Sequence, residues 1–314
     1  MEHRFFQTGE IEPHGSHATL NALQAGLREN QASGLIEVQV GALRRVVLVY
    51  AHGTQSGVYL LEGGRSRPFH LAELSTLWGG APFSIHTVNL PDRAGRAVWM
   101  ALESRKQDPL EVHGNEAWTR LQQDLKKEGF SGLLEYTSDS MQGFTVVNKG
   151  EISASESVFF NGQGFDNSPP SELPINRLWN VTMYNPSPSA SSWQSHTIRT
   201  SALHWGNSVL ERFQSIAGEK FLRVIDKEIR MLIQPWKWMI FLNGTTITDD
   251  HFFAGPQAAA HAYRAIFMGM GTHMGLVIGN VLTQRILQEM FEELEQDERA
   301  ALETQRLIPA AFSN

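Results

Sequence analysis

Three histidines, His251, His261 and His273, follow the acidic pair Asp249 and Asp250 in one stretch of the chain. Imidazoles and carboxylates are the side chains that hold zinc or non-haem iron. Spacings of ten and twelve residues fit no compact ligand motif. On one straight helix His261 and His273 stand more than three turns apart, too far to share an ion. They are read as candidates for lining a small-molecule pocket, and neither a metal nor a cofactor is expected. Residues 269–275, Gly-Met-Gly-Thr-His-Met-Gly, resemble a glycine-rich dinucleotide loop in their spacing. Such a loop needs a strand before it and a helix after it. Here residues 258–267 already carry a helical pattern. Gly271, Gly275 and Gly279, four residues apart, are therefore assigned to helix packing, where small residues let backbones approach.

Nucleophilic chemistry finds no support. There is no cysteine, which excludes thiol nucleophiles, thiolate metal sites and disulfides. Gly-x-Ser-x-Gly, the phosphate-binding Gly-x4-Gly-Lys-[Ser/Thr] and His-Glu-x-x-His are all absent from the sequence. Ser33 and Ser131 stand each just before a strand pattern, where serine and glycine favour a helix-to-strand turn. No catalytic residue is assigned. The tryptophans fall mostly at apolar-face positions. Trp193 is the exception, in a serine-rich loop, and an exposed tryptophan is a hot-spot candidate for a protein partner. Phe165 lies in the other loop that looks flexible, residues 162–174, and is the second partner-binding candidate.

The elements that would position these residues are written twice. Residues 18–41 and 116–139 align, with Leu20, Leu23 and Leu27 opposite Trp118, Leu121 and Leu125, Ser33-Gly34-Leu35 opposite Ser131-Gly132-Leu133, and Glu37 opposite Glu135. Strand patterns ending in a glycine turn follow at Gly53 and Gly150, then a third strand in each. Later, residues 83–89 lie opposite 179–185, stopped by Pro91 and Pro186. Each copy reads helix, three strands, a variable connection, a strand, then a helix. The closing helix spans 92–105 in copy one, with Asp92 as its N-cap, and starts near Ser195 in copy two. A fixed offset across helix, turn and strand predicts a duplicated unit.

From residue 207 the pattern turns helical. Apolar residues recur at helical spacing from Val209 to Leu232, and Pro235 ends that helix. Residues 236–242, WKWMIFL, suit a buried strand or a short helix. From Gln257 a long helix or a pair of helices follows. Leu287, Met290, Phe291 and Leu294 make an apolar face that packs on its own domain or forms a dimer seam. The fold class is α+β: two tandem modules, 1–113 and 114–206, and a mostly helical C-terminal domain, 207–314.

The net charge of −7 and the lack of a basic stripe argue against nucleic acid. The N-terminus shows no signal-peptide pattern, and a cytoplasmic location is expected. The twenty uncharged residues 265–284 reach spanning length, yet His273, Asn280, Thr272, Thr283 and Gln284 interrupt them. A buried helix is expected there, not a membrane span.

With the repeat laid out, the pattern resembles the PATAN-type domain, a bacterial signalling module. The matching features are a short leucine helix, then [Ser/Thr]-Gly-Leu-[Ile/Leu]-Glu-Val, a strand and a glycine turn. Leu-x-x-Leu-Trp-Gly-Gly and Phe-x-[Ile/Val]-x follow, within residues 72–86 (AELSTLWGGAPFSIH). Copy two keeps residues 130–135 (FSGLLE) and 173–183 (LPINRLWNVTM), with a proline-rich connection where the helix should be. The resemblance covers about residues 15–90 and 115–185. It implies a regulatory module of the kind found with response-regulator receiver domains, acting by protein–protein contact. The chain departs from that pattern in having no recognisable receiver-type acidic pocket. The expected function is thus a non-catalytic adaptor with a protein partner and a homodimer through the C-terminal helices. The competing reading is a small-molecule sensor or enzyme, with its pocket between the modules or beside His273.

Overall fold

Ser16 starts the first helix. Its hydroxyl accepts the backbone N–H of Thr19 at 3.0 Å, an N-cap that satisfies one orphan donor. Leu20, Leu23 and Leu27 then line one face of α1 (His17–Glu29). The computed structural model describes residues 9–41, 43–79, 83–139, 141–166 and 177–312. Residues 1–8, Gly80 of the Leu-Trp-Gly-Gly motif and residues 167–174 of the loop around Phe165 lie outside the described residues. The chain is mixed α+β and divides into two compact units, Met1–Ala190 and Ser191–Asn314. Both sheet-forming segments expected to be separate modules fall in the first unit. The boundary expected at 206/207 falls inside α5 (Ser191–Ala217), so the second unit begins at that helix's first residue.

The first unit holds two antiparallel sheets. One runs β1 (Glu10–Glu12), β6 (Phe83–Asn89), β2 (Gly34–Val40), β3 (Arg44–Ala51), β4 (Thr54–Glu62), β5 (Arg65–Pro68). Its register pairs Ile36 with Leu48 and Val38 with Val46. The pleat sends Ile36, Val38, Val46, Leu48 and Leu60 to the core under α1. Glu37, Val47 and Tyr59 take the other face, and all three are buried. A strand buried on both faces reads as a near-continuous apolar run; Val46-Val47-Leu48-Val49-Tyr50 is one. The short α2 (Leu74–Trp78) lies before β6, and α3 (Asp92–Glu103) follows it. The second sheet runs β12 (Phe165–Asp166), β11 (Glu151–Phe160), β10 (Met141–Asn148), β9 (Gly132–Ser138), β13 (Leu178–Pro186), β7 (Ser104–Lys106), with β8 (Leu110–His113) also on β13. Leu134, Tyr136, Trp179 and Val181 pack there under Trp118, Leu121 and Leu125 of α4 (Gly114–Glu128). Helix α3 packs against strands of both sheets, which explains why eight of its residues, among them Trp99 and Met100, are buried.

The hairpin turns His52-Gly53 and Lys149-Gly150 occupy corresponding places in the two sheets. All four residues have positive φ, 45°, 79°, 50° and 83°. That is the two-residue turn whose twist matches the flanking strands. Each turn is tied to the helix-to-strand corner in the same way. Gly53 N–H donates to Ala32 O at 2.9 Å and Gly150 N–H to Phe130 O at 2.7 Å. His52 N–H donates to Ser33 Oγ at 3.1 Å and Lys149 N–H to Ser131 Oγ at 2.8 Å.

The second unit packs five helices, among the described residues, with a two-stranded hairpin: α5, α6 (Glu219–Ile233), β14 (Ile240–Asn243), β15 (Thr246–Asp249), α7 (Pro256–Ile278), α8 (Asn280–Glu292) and α9 (Gln296–Thr304). Trp205 lies at the centre, fully buried, its ring 4.2 Å from Phe267 and its indole N–H donating to Leu287 O at 3.1 Å. Three expectations change here. The helix expected to run from Val209 to Leu232 breaks at Gly218, φ 90° and ψ 161°. The run 236–242 is split between a 3-10 turn, Gln234–Trp236, and strand β14. Trp193 sits in the first turn of α5 and not in a loop. The face of Leu287, Met290, Phe291 and Leu294 packs in this unit's own core, as the first of its two expected alternatives has it. No helix among the described residues is long and apolar enough to cross a membrane.

Candidate functional site

Helix α3 carries a polar stripe at Asp92, Arg96, Trp99 and Glu103, the 4-3-4 spacing that keeps side chains on one helical face. Asp92 is not the N-cap; Pro91 is, and Asp92 is the first helical residue. There its carboxylate is stabilised by the helix N-terminus. Ser33 Oγ donates to Asp92 Oδ1 at 2.9 Å, and His52 Nε2 lies 2.6 Å from Asp92 Oδ2. Serine, aspartate and histidine thus meet, but in the wrong order for acyl transfer. A serine nucleophile needs the imidazole between itself and the carboxylate, to take its proton. Here the carboxylate stands in the middle, and Ser33 spends its proton on Asp92 and its lone pair on the His52 amide. The arrangement pins a turn to a helix.

Further along the stripe, Arg96 reaches Glu156 of β11 at 3.4 Å. The Trp99 indole N–H donates to Tyr59 Oη at 2.7 Å, and Tyr59 donates to Glu103 at 2.8 Å. Burial, and then the charge of Glu103, push the Tyr59 phenol far above its ordinary range. On the second sheet Tyr184 donates to Glu135 Oε2 at 2.5 Å, and Gln142 donates to Glu135 Oε1 at 2.5 Å. Burial, then the Glu135 charge, raise Tyr184 likewise. Glu37, matched to Glu135 in sequence, is raised by burial against the opposing pull of Arg45, 3.4 Å away. These groups are enclosed and hydrogen-bonded to one another. Such networks specify a fold.

The second unit carries the exposed feature. Trp236 is 58% exposed. It stacks on Trp238 with ring centroids 5.5 Å apart and planes 13° from parallel, and His261 stands edge-on to both. Phe221, Val224, Met231 and Leu232 on α6, and Met268 and Leu276 on α7, are exposed too. The two helices meet where Leu232 abuts Gly269 and where Glu228 lies 3.7 Å from His273. The buried face of α6 is Leu222, Ile225, Ile229 and Ile233. Its exposed apolar residues therefore form a second face, which its own fold leaves uncovered.

The sequence candidates land as follows. His261 and His273 both lie on α7, one in the aromatic cluster and the other against Glu228, and they do not converge. Gly271 meets Phe312 and Leu287, while Asn280's carboxamide fills the space beside Gly275. Gly279 is no packing glycine; it is the break between α7 and α8, φ 83°. The room sought near His273 is thus already occupied on the glycine side. Phe165 is half-buried in β12, its ring 5.2 Å from Phe160. Trp193 is half-buried against His196, 5.2 Å away. Trp236 and Trp238 both carry an apolar-face pattern in the sequence; Pro235 before them and Lys237 between them are the signal for the turn that exposes Trp236 and leaves Trp238 partly buried. No family model, curated protein or solved structure matches this chain.

Proposed function

We propose that this chain is a non-catalytic regulatory or adaptor protein of the PATAN-type signalling class, which works by binding another polypeptide. The observation that carries the reading is the uncovered face of α6 and α7, with the stacked pair Trp236 and Trp238 at one end. An exposed tryptophan beside apolar side chains and a charged rim is the composition of an interface core. The enclosed tyrosine–carboxylate networks of the first unit support a scaffold role. So does the order in which Ser33, Asp92 and His52 are bonded. The matched corners at His52-Gly53 and Lys149-Gly150 support the companion reading that the two sheets descend from one duplicated module.

A photo-crosslinking residue placed at position 236 of the full chain, in its native host, tests this. The expected result is a discrete adduct with a polypeptide other than this chain. The same probe at Leu43, 82% exposed in a turn of the first unit, should give none. Equal labelling at both positions, or none at 236, would overturn the placement. Probes at Phe165 and Trp193 test the two other candidate contacts in the same experiment.

A further inference from the structure

Helix α6 carries both halves of a self-complementary contact. Val224 and Met231 are seven residues apart, so they lie within one narrow stripe of the helix, and both are about half exposed, 48% and 49%. Between them stand Lys227 and Glu228, one on either side of that stripe. Four other charged residues of the helix are already paired along it, Glu219 with Arg223 at 3.2 Å and Asp226 with Arg230 at 2.9 Å, and Glu228 lies 3.7 Å from His273 of α7. Lys227 is exposed and makes no ion pair among the described residues.

We propose that α6 pairs antiparallel with α6 of a second copy of this chain, about a two-fold axis passing between Lys227 and Glu228. A closed two-fold contact requires one surface to complement itself. About this axis Val224 meets Met231 of the partner subunit, and Met231 meets Val224 of the partner subunit. Lys227 meets Glu228 of the partner subunit, and the reciprocal pair forms at the same time. Apolar residues at a seven-residue spacing with flanking opposite charges are the pattern that sets orientation in paired helices. A different protein would have to supply this order by coincidence, whereas a second copy supplies it by symmetry. Phe221 and Leu232, exposed on the flank toward α7, extend the contact. The proposal rests on the reading that the α6–α7 face binds protein, and it names the occupant of the α6 half.

Sedimentation of the full chain over a dilution series tests it. The expected mass is twice the 35.1 kDa of one chain, falling to one chain on dilution. Lys227→Glu alone, or Glu228→Lys alone, sets like charges face to face and should weaken the dimer by at least about tenfold. The double variant Lys227→Glu/Glu228→Lys regenerates both pairs and should restore it, which a folding defect cannot do. Met231→Lys should leave a monomer with unchanged circular dichroism. A wild-type monomer throughout, or a dimer indifferent to both single charge changes, would overturn the proposal. A monomer that still gives a foreign adduct at position 236 would remove the self-pairing and leave the adaptor reading standing. A charge-sensitive dimer without that adduct would do the reverse.

Discussion

Ser33 shows how much one hydroxyl can hold. It is buried at 8% exposure, donates to Asp92 and accepts from the His52 amide, so its loss removes two hydrogen bonds. Ser131, at the matching corner, accepts only from the Lys149 amide at a more exposed place. Losing two hydrogen bonds at a buried corner costs more than losing one exposed bond. Ser33→Ala should therefore lower stability by about 2–3 kcal/mol and Ser131→Ala by about 1 kcal/mol or less. Urea unfolding midpoints at constant slope check the difference; equal shifts would show that Asp92 does not depend on Ser33. Both serines were legible in the sequence as turn residues, because turn chemistry is local. Their partners were not. His52 and Asp92 stand 19 and 59 positions from Ser33, and no local pattern encodes a contact made across a sheet.

Elements were legible where one periodicity ruled and illegible where it continued through a break. The strands around Val46–Leu48 and Val146–Val147 follow from their apolar runs, and the glycine turns from Gly53 and Gly150. Between Val209 and Leu232 the apolar pattern persists on both sides of Gly218, so the sequence reads as one helix although the backbone turns there. Gly279 was hidden differently: its four-residue spacing from Gly275 suggested packing. Gly218 and Gly279 share one backbone state, φ near 90° with ψ 161° and φ 83° with ψ 149°. That region is open almost only to glycine, and a side chain forced into it costs about 1–3 kcal/mol. No atom lies within 4 Å of a Cβ placed on either, so the cost is conformational and not steric. Gly218→Ala and Gly279→Ala should each lower the melting temperature by a few degrees, while Gly26→Ala should not. Gly26 has equally open space but lies inside α1. Equal effects at all three would refute a backbone cause.

At the scale of the molecule, composition and the order of patterns gave the α+β class, but not the boundary of the second unit. Ser191–Ala217 is one uninterrupted helix whose Ile198, Ala202, Trp205 and Phe213 all enter the second unit's core. A repeat alignment assigns the start of that helix to copy two, because alignment follows sequence order and not burial. The first unit, in turn, concentrates one kind of titratable group. Tyr50, Tyr59, Tyr136 and Tyr184 all belong to it, and burial raises every one above its ordinary value. In the unfolded chain these phenols ionise near pH ~10. A group held neutral by the fold contributes its stability fully below that pH, and the contribution is lost as pH rises beyond it. Raising the pH past ~10 therefore favours the unfolded state of residues 1–190. Absorbance of tyrosinate should stay low at pH ~10 and then appear in one cooperative step, together with loss of sheet signal in circular dichroism. Gradual ionisation of these phenols at their ordinary pH, with the sheets intact, would mean that they are open to solvent and that the enclosed polar stripe of α3 is not the architecture of the first unit.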